Sequence, residues 1–339
     1  MNIENPESKR RTYRPQVKDL GLDSVTGLHV FDCRRVTIVR RSDEFERKGL
    51  ATHGVECGFK CAHACKYCSV PANIRMHGVF KAAGKSAFED GYAIIDTQLG
   101  DRIGSELKLG KDDTVIISSL SDAWDPVAQR YDTGRKVLQA VLENTQATVR
   151  ILTKNAAVIR DFDLVEQYRD RVMVGLSITG LPEHDSMIQA VEPFASPVSE
   201  RIRAMDLAHS NGFRCFAMFC PLLPGPASQP ETLHRLFQMA RDWNAEGVWL
   251  EGVNARGKAL PDTEQALRDA GYSSAADAVK HVRNRRNWSS YVRELTVRAQ
   301  AAARSAGLID NLRVLNYRSS FTEEDVVAIN TDATGVIWL

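Results

Sequence analysis

The chain has 339 residues, 43% of them hydrophobic and 26% charged, with a formal net charge of +1. That length and balance suit one large α/β unit or two smaller ones, and they exclude bulk disorder and a global electrostatic pull toward nucleic acid or membrane. No run approaches the ~18 apolar residues of a membrane span, and residues 1–13 lack the apolar centre of a signal peptide. The expected setting is therefore cytoplasmic, with no membrane partner and with the seven cysteines kept reduced.

Residues 1–30 are polar and read as irregular, carrying a basic group of Lys9, Arg10, Arg11, Arg14 and Lys18. A short strand is expected at 36–39 and another at 52–56, leading into a crowded group of cysteines. From there, short apolar runs alternate with amphipathic stretches: strands at 114–118, 148–153, 172–178, 214–220 and 248–251, and helices near 134–143, 156–168, 197–210 and 230–244. That rhythm is the signature of parallel βαβ units. Six strands in such an order predict a partial (β/α)6 barrel of TIM type, with chemistry at the C-terminal strand ends. Beyond Arg256 the rhythm stops; 273–304 reads as mostly helical, and 312–317 and 335–339 as short strands. The expected division is an N-terminal extension over 1–50, the barrel over 51–256 and a C-terminal extension over 257–339. A second basic group, Lys280, Arg283, Arg285 and Arg286, falls in that last part. A run of this kind ordinarily lies on a solvated helix face or tail.

Four of the seven cysteines, Cys57, Cys61, Cys65 and Cys68, lie within a dozen residues, too crowded for a disulfide framework and suited to a metal centre. Cys61, Cys65 and Cys68 are spaced x3 and x2, so one short loop can present three thiolates to a [4Fe–4S] cube and leave its fourth iron open. Zinc is the rival reading, with Cys57 or His63 as fourth ligand, since no second Cys or His pair follows at finger spacing. A metal-free cluster of buried thiols is the plainest alternative.

The cysteine loop does not stand alone. Ser121-Asp122 with Asp125-Pro126, Thr153-Lys154-Asn155 with Arg160-Asp161, Ser177, Glu192-Pro193 with Arg201, residues 221–225, and Glu251 with Asn254 and Arg256 follow it in order. Together these blocks resemble the radical S-adenosylmethionine (SAM) superfamily, in the branch containing spore photoproduct lyase. The resemblance implies a [4Fe–4S] cluster on Cys61, Cys65 and Cys68, SAM as cofactor, cleavage of SAM to a 5′-deoxyadenosyl radical, and a reducing partner such as flavodoxin or ferredoxin. It further implies that Lys154 pairs with the SAM carboxylate, that Ser177 gives SAM a hydroxyl, that Tyr67 packs near the adenine, and that Asn254 helps close the pocket. Asp122 can serve the SAM amino group, the ribose or the substrate, or simply cap the next helix. Glu192 and Arg201 read as an ion pair that shapes their loop.

The resemblance breaks at Ser119, which stands among the cofactor-contacting positions where the lyase branch carries a hydrogen-donating cysteine. A serine O–H bond is too strong for that task, so the substitute thiol is sought among Cys57, the catalytic candidate taken here, Cys33, Cys215 and Cys220, none clearly placed; the last two sit in an apolar strand that reads as core. Without a dedicated donor, an isomerase-type rearrangement that recycles SAM fits as well as a lyase. The resemblance favours a thymine-type base in DNA as substrate, with Tyr13, Trp288 and Tyr291 as stacking aromatics beside the basic groups. The alternatives are radical modification of a peptide or small metabolite, and a non-catalytic iron–sulfur or zinc module that docks nucleic acid.

Overall fold

The computed structural model describes residues 14–118 and 120–339. In chain order the strands are β1 (Val17–Leu22), β2 (His29–Cys33), β3 (Val39–Arg41), β4 (His53–Val55), β5 (Gly58–Lys60), β6 (Tyr92–Ile95), β7 (Thr114–Ile117), β8 (Thr148–Thr153), β9 (Val172–Leu176), β10 (Arg214–Cys215), β11 (Ala217–Leu222), β12 (Val248–Gly252), β13 (Leu312–Asn316) and β14 (Val336–Trp338). Among the described residues they form three sheets in a mixed α/β architecture.

One sheet runs β10-β9-β8-β7-β4-β3, with β3 antiparallel to β4 and the other pairs parallel. A second runs β11-β12-β13-β14, parallel throughout. A single parallel bridge from Ser177 to Met218 links the two. The apolar runs become strands because helices cover their outer side, among them Thr133–Asn144, Val198–Ser210, Pro230–Asp242 and Arg285–Ala306. The outer core packs Val115, Ile117, Val149, Ile151, Val174 and Leu250 with the helices. Alternate residues point the other way, and there Ile116, Met173, Phe216, Met218, Trp249 and Leu315 form an inner cluster with Leu50. The Phe216 and Trp249 rings meet edge to face at 5.8 Å, and the Arg150 guanidinium lies over Trp249 at 4.9 Å.

Three sequence expectations need correction. Residues 17–22 and 29–33 are not irregular: β1 and β2 pair antiparallel, and β2 adds in parallel to β6, in a sheet ordered β1-β2-β6-β5. Its cluster of Phe31, Phe59, Phe80 and Tyr92 is small, which is why no long apolar run announces it. The segment expected as one helix over 156–168 is a 3₁₀ turn, Ala156–Asp161, followed by the short helix Phe162–Gln167. Finally, sheets cross both boundaries drawn at 50 and 256. β3 pairs with β4, and β13 and β14 continue the parallel order from β12. Lys9, Arg10, Arg11 and Tyr13 lie outside the described residues, as does Ser119. No helix among the described residues is long and apolar enough to cross a membrane.

Gly175 marks a tight point of the inner cluster: a Cβ there would stand 2.4 Å from the Phe216 ring. Gly175→Ala is expected to cost about 1–3 kcal/mol through overpacking. Urea unfolding measures this directly, and an unchanged midpoint would refute the packing described.

Candidate active site

The C-terminal ends of the parallel strands and the cysteine loop enclose a cavity of about 640 Å³. Cys61, Cys65 and Cys68 line it from one side; Lys154 after β8, Ser177 after β9 and Asn254 after β12 line it from the strand ends. The three cysteines are free thiols. Burial pushes all three thiols up, Cys65 to about 12, and each of Cys61 and Cys65 also feels the charge of a neighbouring cysteine of the set. Among the described residues no three His, Cys, Asp or Glu side chains converge as ligands of one metal ion.

The loop is tied down by two buried carboxylates. Asp122 accepts hydrogen bonds from His63 Nε2 at 2.9 Å, from the Thr153 hydroxyl at 2.8 Å, and from the backbone N–H groups of Lys154 at 2.8 Å and Trp124 at 2.9 Å. His63 Nδ1 faces the Phe194 carbonyl at 3.0 Å. Both ring nitrogens therefore face acceptors, which requires the doubly protonated imidazolium. Burial favours the neutral ring, but the Asp122 charge outweighs it and raises the His63 pKa. Burial likewise opposes the charge on Asp122, and His63 with the backbone donors holds its carboxyl below the usual range. Asp125 adds a second anchor, accepting from Ala62 N at 2.9 Å and from Val127 N and Ala128 N at 2.8 Å each.

Glu192 holds the other side of the loop. It accepts from the Tyr67 hydroxyl and from Arg201, whose guanidinium also donates to the Ser177 carbonyl at 2.7 Å and the Ser196 carbonyl at 2.8 Å. Glu192 and Arg201 are each 1% exposed, so the expected pair is present and fully desolvated. Tyr67 presents its ring to the Lys154 ammonium, 5.7 Å from the centroid. Burial disfavours the Lys154 charge, but Cys65, Glu192 and Cys220 overcome this and raise its pKa. Lys154 Nζ and the Ser177 hydroxyl make no hydrogen bond among the described residues, and both line the cavity. Asn254 turns its side-chain oxygen to Arg256 N at 2.9 Å.

Cys57 lies elsewhere. It is packed in the outer core at 4% exposure and does not line the cavity, because its neighbour Glu56 takes the inward position and successive side chains alternate. The thiol that does reach the cavity from the far wall is Cys220, whose Sγ donates to Glu251 at 3.7 Å; Cys215 is core. That far wall continues with Lys48, which donates to the Tyr317 hydroxyl at 3.1 Å and pairs with Glu44 at 2.7 Å. Trp288 and Tyr291 are not stacking platforms. Trp288 is 5% exposed and donates to the Val253 carbonyl, and Tyr291 donates to the Leu222 carbonyl. Lys280, Arg283, Arg285 and Arg286 are exposed, and none of them lines the cavity.

No family model matches the chain. It is 27% identical over 164 residues to an uncharacterised protein of Methanocaldococcus jannaschii, covering 48% of this chain and 58% of that protein. It is 28% identical over 215 residues to an uncharacterised protein of Acidianus two-tailed virus, covering 61% and 69% respectively. The matched region is thus less than two thirds of the archaeal relative's length. Among solved structures it is similar to a single-residue variant of spore photoproduct lyase, with a TM-score of 0.49 and 14% identity over 71% of this chain and 66% of the other. It is also similar to that lyase complexed with dinucleoside spore photoproduct, with a TM-score of 0.47, 14% identity and the same coverage.

Because Asp122 joins three segments, Asp122→Ala is expected to destabilise the fold by about 3–5 kcal/mol, leaving the buried His63 imidazolium uncompensated. In a double-mutant cycle with His63→Gln, guanidinium unfolding should return a coupling of about 1 kcal/mol or more. Additive losses would show that the two side chains do not act as a pair.

Proposed function

We propose that the chain is a radical SAM enzyme acting on a base in nucleic acid, with Cys61, Cys65 and Cys68 as the cluster ligands. The observation that carries this is the meeting of those three thiols with Lys154 and Ser177 in one cavity. A single ion gathers its ligands at one point, whereas a cubane takes each thiolate on a different iron. Three thiols spread along one loop and facing a shared space suit the cubane. When bound, a [4Fe–4S] cluster supplies the electron that cleaves SAM to a 5′-deoxyadenosyl radical.

The chain's own residues do the rest. The Lys154 ammonium meets the SAM carboxylate, the Ser177 hydroxyl hydrogen-bonds SAM, and Tyr67, held by Glu192, packs beside it. Asp122 has its oxygens occupied by four donors, so we assign it to holding Lys154 and the cysteine loop in place. The strand order β4, β7, β8, β9, β11, β12 supports reading this core as the partial (β/α)6 barrel, whose interior below the cavity is filled by the Phe216–Trp249 layer. The cavity accommodates a base only when it is taken out of its stack, and Lys60, Lys66, Arg256 and Lys258 at the lining offer charge to the flanking phosphates. The sequence resemblance supplies thymine in DNA as the leading case, in a lyase- or isomerase-type reaction. A flavodoxin- or ferredoxin-type protein is the reductant we expect.

Anaerobic reconstitution with iron and sulfide, then dithionite and SAM, should yield 5′-deoxyadenosine. Cys65→Ala should lose both the visible iron–sulfur absorption and the product. Lys154→Met should keep the absorption and weaken SAM binding about tenfold or more. A protein that takes up zinc alone and never forms 5′-deoxyadenosine would overturn the reading.

A further inference from the structure

The buried carboxylates around the cavity are not alike in how they are satisfied. Asp122 has four donors, and Glu251 accepts the Cys220 thiol. Glu56 differs. It follows β4, is 4% exposed, lines the cavity, and its Oε2 has no hydrogen-bond partner among the described residues. Its backbone is fixed, since Glu56 N donates to the Ile38 carbonyl at 2.9 Å. The half-buried Arg35 feels the Glu56 charge but makes no hydrogen bond to it: its guanidinium donates to the Gly58 carbonyl at 2.6 Å and stacks over Phe59 at 4.4 Å.

A second orphan lies close by. The Ser121 hydroxyl is buried, lines the same cavity and has no partner among the described residues, and it sits 3.1 Å from where a Cβ on Gly58 would stand. Buried polar atoms are almost always paired, and a charged one left alone is costly. Two such atoms on one wall of a cavity are best explained by a ligand that completes them. A carboxylate only accepts, so what meets Glu56 must donate.

We propose that Glu56 binds the substrate, its free oxygen accepting a hydrogen bond from an N–H group of the nucleobase. This rests on the reading under Proposed function for the kind of molecule bound, while the unpartnered oxygen supplies the demand for a donor. Glu56 thereby selects a base that offers an N–H at its edge over one in which that position is blocked.

The test uses the reconstituted full chain and two probes: a short single-stranded DNA containing thymine, and the same strand with N3-methylthymine. The wild type should bind the first about tenfold more tightly than the second. Glu56→Met should abolish that preference and Glu56→Gln, which keeps an acceptor, should retain part of it. Both variants should melt within a few degrees of the wild type, because no hydrogen bond to Glu56 Oε2 is lost. A wild type indifferent to the methyl group overturns the inference. So does a Glu56→Met protein that keeps the preference but melts several degrees lower, which would make Glu56 a structural anchor. If 5′-deoxyadenosine forms but the preference is absent, only this inference falls. If no 5′-deoxyadenosine forms, the enzyme reading falls, and the two strands still decide the role of Glu56.

Discussion

The Asp122 carboxylate is the point on which the site turns. It sits past the end of β7, takes the Thr153 hydroxyl and the Lys154 amide at the end of β8, and draws in the His63 ring from the cysteine loop. A loop that must leave three thiols facing a cavity cannot spend those residues on a regular ladder, so something outside it has to fix its position. A short acceptor-only side chain with several converging donors does this in very little space. The cost is two desolvated charges, His63 at 2% and Asp122 at 10% side-chain exposure, tolerable only because every lone pair and proton facing them is used. Glu192 does the same for the opposite side of the loop, through Tyr67 and Arg201. Arg201 also grips the Ser177 carbonyl, so the thiols, the Lys154 backbone and Ser177 share one rigid frame.

Much of this could be read from the chain, and the failures have physical reasons. β7, β8, β9, β11 and β12 are legible because strands covered by helices are continuously apolar. β1 and β2 escaped because their short sequences mix charged with apolar residues, and β1 buries none of its residues fully. The choice of Cys57 as spare thiol failed on a step of one residue, since strand alternation sends Glu56 to the cavity and Cys57 to the core. The same alternation separates Cys220 from Cys215, which lie an odd number of positions apart and so on opposite faces. Trp288 and Tyr291 were misread as a platform for bases, yet Trp288, Val292, Leu295 and Ala299 repeat at helical spacing, the mark of a buried stripe. His63 is legible only as a candidate metal ligand; its pairing with Asp122 is not, because that partner lies 59 residues away.

The cavity itself is divided by chemistry. The cysteine-loop side carries the thiols, Tyr67 and Lys154, while the far wall carries Lys48, Cys220, Glu251 and Tyr317. Burial disfavours the Lys48 charge, but Tyr317, Glu251 and Glu44 outweigh it and raise its pKa. Burial pushes the Glu251 carboxyl up, and the Cys220 thiol likewise. That wall thus sets an ammonium beside a carboxyl, a phenol and a single thiol, where the opposite side carries three thiols.

The bond between Lys48 and Tyr317 spans 269 positions of the chain. On the ribosome, the cysteine loop has long emerged by the time β13 is made, so the thiols are presented while the opposite wall does not yet exist. The far wall is complete only once Tyr317 has been made and can meet Lys48, so the last strands of the chain finish a site that the cysteine loop begins.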